Sequence, residues 1–224
     1  MTDDLRLVVF DVDGTLIDSQ HHIVAAMEQA FQASGIGSPA RTAILSIVGL
    51  SLPVAVERLV PELSENTRSR IVEAYKDSYS RIRGGTPPPL FPGAAEALWA
   101  LRSRPDVLLG VATGKSRRGL SHMLDAHGLH GHFVTTQVAD DHPSKPHPSM
   151  LCAALAESGI DAARAVMVGD TTYDIEMGRA VGMATVGVAW GYHPEVDLVA
   201  AGADRVIGRF GDLLPVLDDL WGAG

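Results

Sequence analysis

Six polar residues spread along the chain have the chemistry of a phosphate site. They are Asp11, Asp13, Thr113, Lys145, Asp170 and Asp174. The carboxylates outnumber the single lysine, so the group would repel itself without a bound cation. Its ligand atoms are oxygens, with no cysteine and no paired histidine in the same segments, and such ligands favour Mg²⁺ over zinc. The residue types therefore predict a magnesium site.

Two of these carboxylates are spaced for covalent chemistry. Asp11 follows an apolar run at residues 7–10, and an exposed aspartate at a strand end can attack phosphorus to form an aspartyl-phosphate. Asp13 lies two residues further on and points to the same face. It is placed to protonate a leaving oxygen and then to activate water. Lys145 and the metal would receive the phosphate.

The apolar pattern predicts elements that bring these residues together. Short buried strands are predicted at residues 7–10, 107–112, 133–136, 165–168, 184–188 and 205–207. Helices are predicted at residues 94–101, 116–127, 149–158 and 174–181. This alternation predicts an α/β fold with a Rossmann-like parallel sheet. Ligands of such sheets bind beyond the carboxyl ends of the strands, which is where the polar residues fall.

Residues 17–89 interrupt the alternation because they contain no convincing buried strand. An amphipathic helical stripe is formed by Ile71, Ala74, Tyr75, Ser78, Tyr79 and Ile82. Residues 49–53 resemble a turn into another helix, with Ser51 as its cap. We therefore predict a catalytic core of residues 1–16 and 90–224, with an inserted all-helical cap of residues 17–89. The insertion leaves from the edge of the sheet that holds the site.

Composition excludes several kinds of partner. The formal net charge is −9, from 18 Lys and Arg against 27 Asp and Glu, so no basic surface for nucleic acid is expected. No apolar run reaches the roughly 18 residues of a membrane span, so no membrane partner is expected. The single cysteine, Cys152, cannot close an internal disulfide and is predicted to pack on a helix, which favours a cytoplasmic location. The chain is expected to be a monomer or a homodimer.

Four segments resemble, in order, the motifs of the haloacid dehalogenase superfamily. They are Asp11-Val12-Asp13-Gly14-Thr15-Leu16, Thr113-Gly114, Lys145-Pro146 and Gly169-Asp170-Thr171-Thr172-Tyr173-Asp174. The predicted helical insertion resembles the alpha-helical cap of that superfamily, so the resemblance spans the whole chain. By this resemblance Asp11 is the nucleophile and Asp13 the general acid and base. Mg²⁺ would be bound by Asp11, by Asp170 and by the backbone carbonyl of Asp13.

The resemblance also implies how the phosphoryl group is held. Thr113 and the Gly114 amide would bind phosphoryl oxygens. Lys145 would neutralise them and orient Asp11, and Asp174 would support Lys145 and metal-bound water. We therefore expect Thr113 and Lys145 to serve both in catalysis and in substrate binding.

Asp13 favours a phosphatase within this superfamily. Expelling an alkoxide from a phosphate ester needs a proton donor, whereas expelling a halide does not. Asp18-Ser19 and the run at residues 144–148 are similar to phosphoglycolate phosphatase-like members. The resemblance thus implies a Mg²⁺-dependent hydrolase of a small phosphorylated metabolite, with 2-phosphoglycolate as the best single guess.

Two alternatives remain open from the sequence. One is a phosphosugar mutase, similar to β-phosphoglucomutase, which would isomerise its substrate without net release of phosphate. The other is a non-catalytic, metal-binding regulatory protein, although no motif residue is lost. A phosphonate hydrolase would need a Schiff-base lysine in the insertion. It is disfavoured because the only lysine there, Lys76, is expected on the far side of the long helix from its sequence position.

Three further residues are candidates for substrate contact. Lys115 follows the Thr113-Gly114 motif, and it is interpreted as a cation at the start of a helix or on the rim of the pocket. His21 and His22 begin the insertion near the site, where a place on a helix surface is the simpler interpretation. Whether any of the three touches substrate is left open.

Overall fold

In the computed structural model, which describes residues 5–222, six strands form one parallel sheet. The strands are β1 (Arg6–Phe10), β2 (Val107–Thr113), β3 (Thr135–Val138), β4 (Ala165–Gly169), β5 (Ala184–Val188) and β6 (Arg205–Ile207). Their order across the sheet is β3-β2-β1-β4-β5-β6, which is the strand order of the Rossmann fold. The predicted α/β fold class with a Rossmann-like parallel sheet is confirmed.

Helices cover both faces of this sheet. They are α5 (Ala94–Arg102), α6 (Arg117–His127), α7 (Ser149–Ser158), α8 (Thr172–Ala180), α9 (Glu195–Ala200) and α10 (Leu213–Gly222). Side chains of β1 alternate between the two faces. Val8 and Phe10 belong to the apolar cluster that includes Leu98 of α5, whereas Leu7 and Val9 belong to the cluster that includes Met150 of α7. Burial on both faces explains why β1 is a continuous apolar run.

Four helices lie between β1 and α5. They are α1 (Gln20–Ala33), α2 (Arg41–Ser46), α3 (Leu52–Leu59) and α4 (Glu65–Arg83). They share a buried cluster of their own, which includes Met27, Phe31, Val56 and Ile71. This helical unit is called the cap below.

The two chain segments that join the cap to the sheet run side by side. Ile17 and Leu90 form an antiparallel bridge, the Asp18 amide donates to the Pro89 carbonyl at 2.9 Å, and the Phe91 amide donates to the Leu16 carbonyl at 2.9 Å. These contacts lie next to the predicted boundaries 16/17 and 89/90. The division into a core (1–16 and 90–224) and a cap (17–89) stays a prediction, and its residues 1–4 and 223–224 lie outside the described range.

Three local expectations differ from the structure. Cys152 is exposed rather than packed, because α7 turns Leu151 and Ala154 inward and Cys152 away from them. β3 begins two residues later than predicted: pairing with β2 starts at Thr135, and the preceding Val134 is 55% exposed. Ser51 precedes α3, but its side chain makes no capping bond.

Removing a side chain from the interior under β1 should destabilise the fold strongly. Leu98 is 0% exposed, so we expect Leu98→Ala to lower the free energy of unfolding by about 2–5 kcal/mol through lost burial and a residual cavity. Urea denaturation measures the change. Val199→Ala is the matched control, since Val199 is 57% exposed and should change stability by less than about 0.5 kcal/mol. Equal losses in both variants would contradict the assigned core.

Candidate active site

The predicted site residues meet where the strand order of the sheet changes direction. Asp11 and Asp13 follow β1, Thr113 ends β2, and Asp170 follows β4. Because β1 lies between β2 and β4, these three strand ends are neighbours. In open parallel sheets this crevice is the usual place for a ligand.

Lys145 lies at the centre of a buried ion pair. Its Nζ donates to Asp11 Oδ1 at 2.8 Å and to Asp174 Oδ1 at 2.6 Å, and its side chain is 0% exposed. Burial alone lowers the pKa of Lys145, but the charges of Asp11 and Asp174 outweigh burial and hold the pKa above its ordinary value. Lys145 is therefore a fixed cation beside Asp11.

Asp174 is held by the start of helix α8. Its Oδ2 accepts hydrogen bonds from the Thr171 amide at 3.1 Å and from Thr171 Oγ1 at 2.7 Å, which forms a capping box. The helix approaches β4 closely, since a Cβ added at Gly169 would lie 2.3 Å from Asp174 Cβ. One Asp174 oxygen thus accepts hydrogen bonds from the first residue of the helix terminus, Thr171, and the other accepts from Lys145.

Asp170 is fixed from two sides. Its Oδ1 accepts from Thr15 Oγ1 at 2.9 Å, and its Oδ2 accepts from the Tyr192 amide at 2.8 Å. Gly14 has a left-handed φ of 85°, and a Cβ there would lie 2.2 Å from Asp170 Oδ2. A glycine is needed at this turn for both reasons.

Asp11 and Asp170 have the properties of ligands for a cation. Asp11 Oδ2 is buried and has no hydrogen-bond partner among residues 5–222. Burial raises the pKa of Asp11 to about 7; Lys145 opposes this shift, and the charges of Asp174 and Asp13 add to it. Burial, followed by the charges of Asp11 and Asp174, also holds the pKa of Asp170 well above its usual range.

Carboxylate oxygens of Asp11, Asp170 and Asp174 lie within 4.8 Å of one another. An oxygen-only donor set with unfavourable mutual repulsion fits a hard divalent cation. The metal ligands predicted from the sequence are Asp11, Asp170 and the backbone carbonyl of Asp13, and they do not include Asp174. Asp174 accepts two hydrogen bonds from Thr171 on one oxygen and pairs with the Lys145 ammonium on the other, whereas each Asp170 oxygen accepts one bond from an uncharged donor. Asp174 therefore fits the supporting role better than that of a direct ligand.

The Asp13 carboxylate faces a different set of partners. Ser19 Oγ donates to Asp13 Oδ1 at 2.5 Å. Lys115 Nζ donates to Oδ1 and Oδ2 at 2.8 and 2.9 Å, and it also donates to Tyr79 Oη in the cap at 3.3 Å. Burial lowers the pKa of Lys115. The opposing effect of Asp13, followed by that of Tyr79, is larger in total, so the pKa lies above its ordinary value. The lysine that the sequence left open is thus an ion-pair partner of Asp13.

A cavity of about 550 Å³ opens over these residues. Asp11, Asp13, Thr113, Gly114 and Lys115 line it from the sheet, and helices α1, α3 and α4 line it from the cap. A small molecule in this cavity would lie against the predicted nucleophile and the predicted phosphate-binding residues together.

Similarity to known proteins identifies the family. A model of the haloacid dehalogenase-like hydrolase family matches residues 8–188, which is most of the chain. The chain belongs to this family.

Relatives and solved structures agree with that membership. A probable phosphatase, IndB, of Dickeya dadantii is 35% identical and aligns over 93% of this chain and 91% of its own. A phosphoglycolate phosphatase of Vibrio parahaemolyticus is 29% identical over 96% of both. The crystal structure of a hydrolase from Pseudomonas syringae superposes with a TM-score of 0.85 and 28% identity, covering 96% of this chain and 98% of that one.

Membership in the haloacid dehalogenase-like family confirms the recognition made from the four motifs and the predicted hydrolase class. The individual roles of the motif residues stay predictions. Neither of the two cap histidines is among the described residues that line the cavity. His21 is exposed, and His22 Nε2 lies 2.8 Å from the Thr86 carbonyl oxygen.

Three residues that contact the carboxylates of the site were not predicted from the sequence. Thr15 and Tyr192 hold Asp170, and Ser19 bonds Asp13 while lying 2.9 Å from Tyr192 Oη. Thr15 and Ser19 belong to segments that carry the family resemblance, but their residue types alone predicted no role for them. Tyr192 follows predicted strand 184–188, so a search of every strand end at this edge would have found it.

Neutralising Asp174 should weaken both the fold and the site. Asp174→Asn keeps an acceptor for Thr171 but leaves Lys145 with Asp11 alone, so we expect the free energy of unfolding to fall by about 3 kcal/mol. Urea denaturation tests this. Asp212→Asn, which changes a carboxylate paired with exposed Arg209, should have little effect. An unchanged stability for Asp174→Asn would refute the importance of the buried pair.

Proposed function

We propose that this protein is a Mg²⁺-dependent phosphatase that hydrolyses a small phosphate monoester through an aspartyl-phosphate on Asp11. One observation carries the proposal. One Asp11 oxygen accepts from Lys145, and the other is buried with no hydrogen-bond partner in the described part of the chain; Asp11 lines a cavity together with Asp13 and Thr113. The phosphatase names of its relatives support the same activity.

Mg²⁺ would be held by Asp11, Asp170 and the backbone carbonyl of Asp13, all of which offer the oxygen ligands that it prefers. When bound, Mg²⁺ would supply positive charge that lowers the pKa of the Asp11 and Asp170 carboxyl groups and attracts a phosphate. Lys145 is a second cation at the same place, and its charge remains whether or not the metal is bound.

In the first step the Asp11 carboxylate attacks phosphorus, and the bond from phosphorus to the alcohol oxygen breaks. Thr113 and the Gly114 amide bind the phosphoryl oxygens, while Lys145 keeps Asp11 in orientation. Asp13 transfers its proton to the leaving oxygen, so the product is a neutral alcohol.

In the second step a water molecule attacks the phosphorus of the aspartyl-phosphate. Asp13, now a carboxylate, accepts the proton of that water, and the bond to Asp11 breaks to release phosphate. Asp11 and protonated Asp13 are regenerated. Ser19 and Lys115 hold the Asp13 carboxyl group in place.

The remaining details of the function stay predictions. 2-Phosphoglycolate is the substrate with which others are compared below, because a relative is named phosphoglycolate phosphatase. A phosphosugar mutase would share the first step but return the phosphoryl group to a sugar, so release of phosphate distinguishes the two. Within residues 5–222, none of the helices combines the length and apolar character that crossing a membrane requires. A cytoplasmic monomer or homodimer without nucleic-acid partners remains the expectation.

Removing the nucleophile should abolish turnover. With Mg²⁺ and p-nitrophenyl phosphate, we expect Asp11→Asn to lower kcat by at least about a thousandfold, because an amide cannot form the covalent intermediate. Asp219→Asn is the control, since Asp219 lies on the surface and pairs with Arg205. Similar turnover by wild type and Asp11→Asn would refute the role of Asp11.

Metal should act on stability as well as on activity. Dialysis against a chelator should abolish hydrolysis, and added Mg²⁺ should restore it. Mg²⁺ should also raise Tm, because binding to the folded state relieves repulsion between Asp11 and Asp170. The rise in Tm should disappear in Asp170→Asn. A full rise in Tm in that variant would show that Mg²⁺ binds elsewhere.

A further inference from the structure

The cap side of the cavity is mainly apolar. Its wall includes Met27 of α1, Leu50 before α3, Ala55 of α3, and Tyr75 and Tyr79 of α4. A volume of about 550 Å³ falls within the range of roughly 300–1,000 Å³ that is typical of sites for small organic ligands. A phosphate with a two-carbon acid would leave most of this space unfilled.

Charges near this wall do not suit a substrate carboxylate. Among the described residues that line the cavity, the cap contributes one charged side chain, Lys76, which is 57% exposed and pairs with Glu73 at 2.6 Å. The expectation that Lys76 lies on the far side of its helix is therefore wrong. The ammonium of Lys115 is bound to Asp13. Among the described lining residues, a carboxylate that entered the cap side would lose its hydration without meeting an unpaired cation, which is costly.

One cation could still meet a carboxylate at the entrance. Arg118 of α6 is exposed and lies at the lining of the cavity. Arg118 does not belong to the cap or to its apolar wall, and its exposed guanidinium remains hydrated. An acidic leaving group would therefore have to stay at this rim instead of filling the interior.

On the basis of the proposed phosphatase activity, we propose that the alcohol released from the substrate carries an apolar group, the size of a short branched chain or a single ring, which binds against the cap wall. Burial of that group stabilises the complex by removing apolar surface from water. The same group excludes water from the space above Asp11 during the first step. Specificity thus comes from fit to an apolar cavity and not from recognition of a second anion.

Alkyl phosphates of similar intrinsic reactivity test this substrate class. We expect kcat/KM to rise about tenfold from ethyl phosphate to butyl phosphate, because two more methylene groups become buried. Benzyl phosphate should be at least as good as butyl phosphate. 2-Methylpropyl phosphate has nearly the shape of 2-phosphoglycolate without its carboxylate, and it should exceed 2-phosphoglycolate by about tenfold or more.

Substitutions on one helix separate cavity fit from general damage. Ala55 lines the cavity and is 3% exposed, whereas its neighbour Val54 is 39% exposed and lies outside the lining. Ala55→Phe should lower the ratio of kcat/KM for benzyl phosphate to that for ethyl phosphate by about tenfold, since the ring occupies the space of the leaving group. Val54→Phe should leave the ratio unchanged. A ratio measured on one sample does not depend on its folded fraction.

The outcomes distinguish this proposal from the activity on which it rests. If 2-phosphoglycolate is hydrolysed faster than 2-methylpropyl phosphate, and Arg118→Met removes that advantage, the leaving group is an acid bound at the rim and the proposal is overturned. Equal kcat/KM for ethyl, butyl and benzyl phosphates also overturns it, while leaving the phosphatase intact. Hydrolysis of none of these esters, nor of p-nitrophenyl phosphate, overturns both.

Discussion

The buried ion pair that Lys145 makes with two carboxylates governs the site. Its ammonium lies 2.8 Å from Asp11 and 2.6 Å from Asp174, with no exposed side-chain surface. A lone charge in such a place would cost several kcal/mol, so the fold must deliver both partners with good geometry. Asp11 comes from the end of β1, and Asp174 comes from the first turn of α8, where the capping box with Thr171 fixes it.

The same constraint explains why one oxygen of the predicted nucleophile remains available to a ligand. Lys145 donates to Asp11 Oδ1, while Oδ2 is buried and has no hydrogen-bond partner within residues 5–222. Two residues further along the chain, Asp13 is held by Ser19 and by Lys115, whose ammonium also reaches Tyr79 in the cap. The carboxylates predicted to react are thus positioned after β1, but the space in front of them is shaped by the cap. This division separates the chemistry, which the motifs determine, from the choice of leaving group.

Much of this arrangement was predictable because parallel strands are buried on both faces and appear as continuous apolar runs. β1 and β5 were found in this way, and the polar residues after β1, β2 and β4 then had to meet at one edge. What escaped prediction depends on loop paths and side-chain directions, which periodicity does not encode. Tyr192 reaches Asp170 from the loop after β5, and the pairing of Lys115 with Asp13 depends on the direction of a long side chain.

The central claim is that Asp11, oriented by Lys145, becomes covalently phosphorylated during turnover. Rapid acid quenching of the enzyme during hydrolysis of a phosphate ester, followed by peptide mass spectrometry, tests it directly. The account predicts that the peptide containing Asp11 gains the mass of one phosphoryl group and that Asp11 carries it. Turnover with an unmodified Asp11 peptide, or with the phosphoryl group on another residue, would contradict the account.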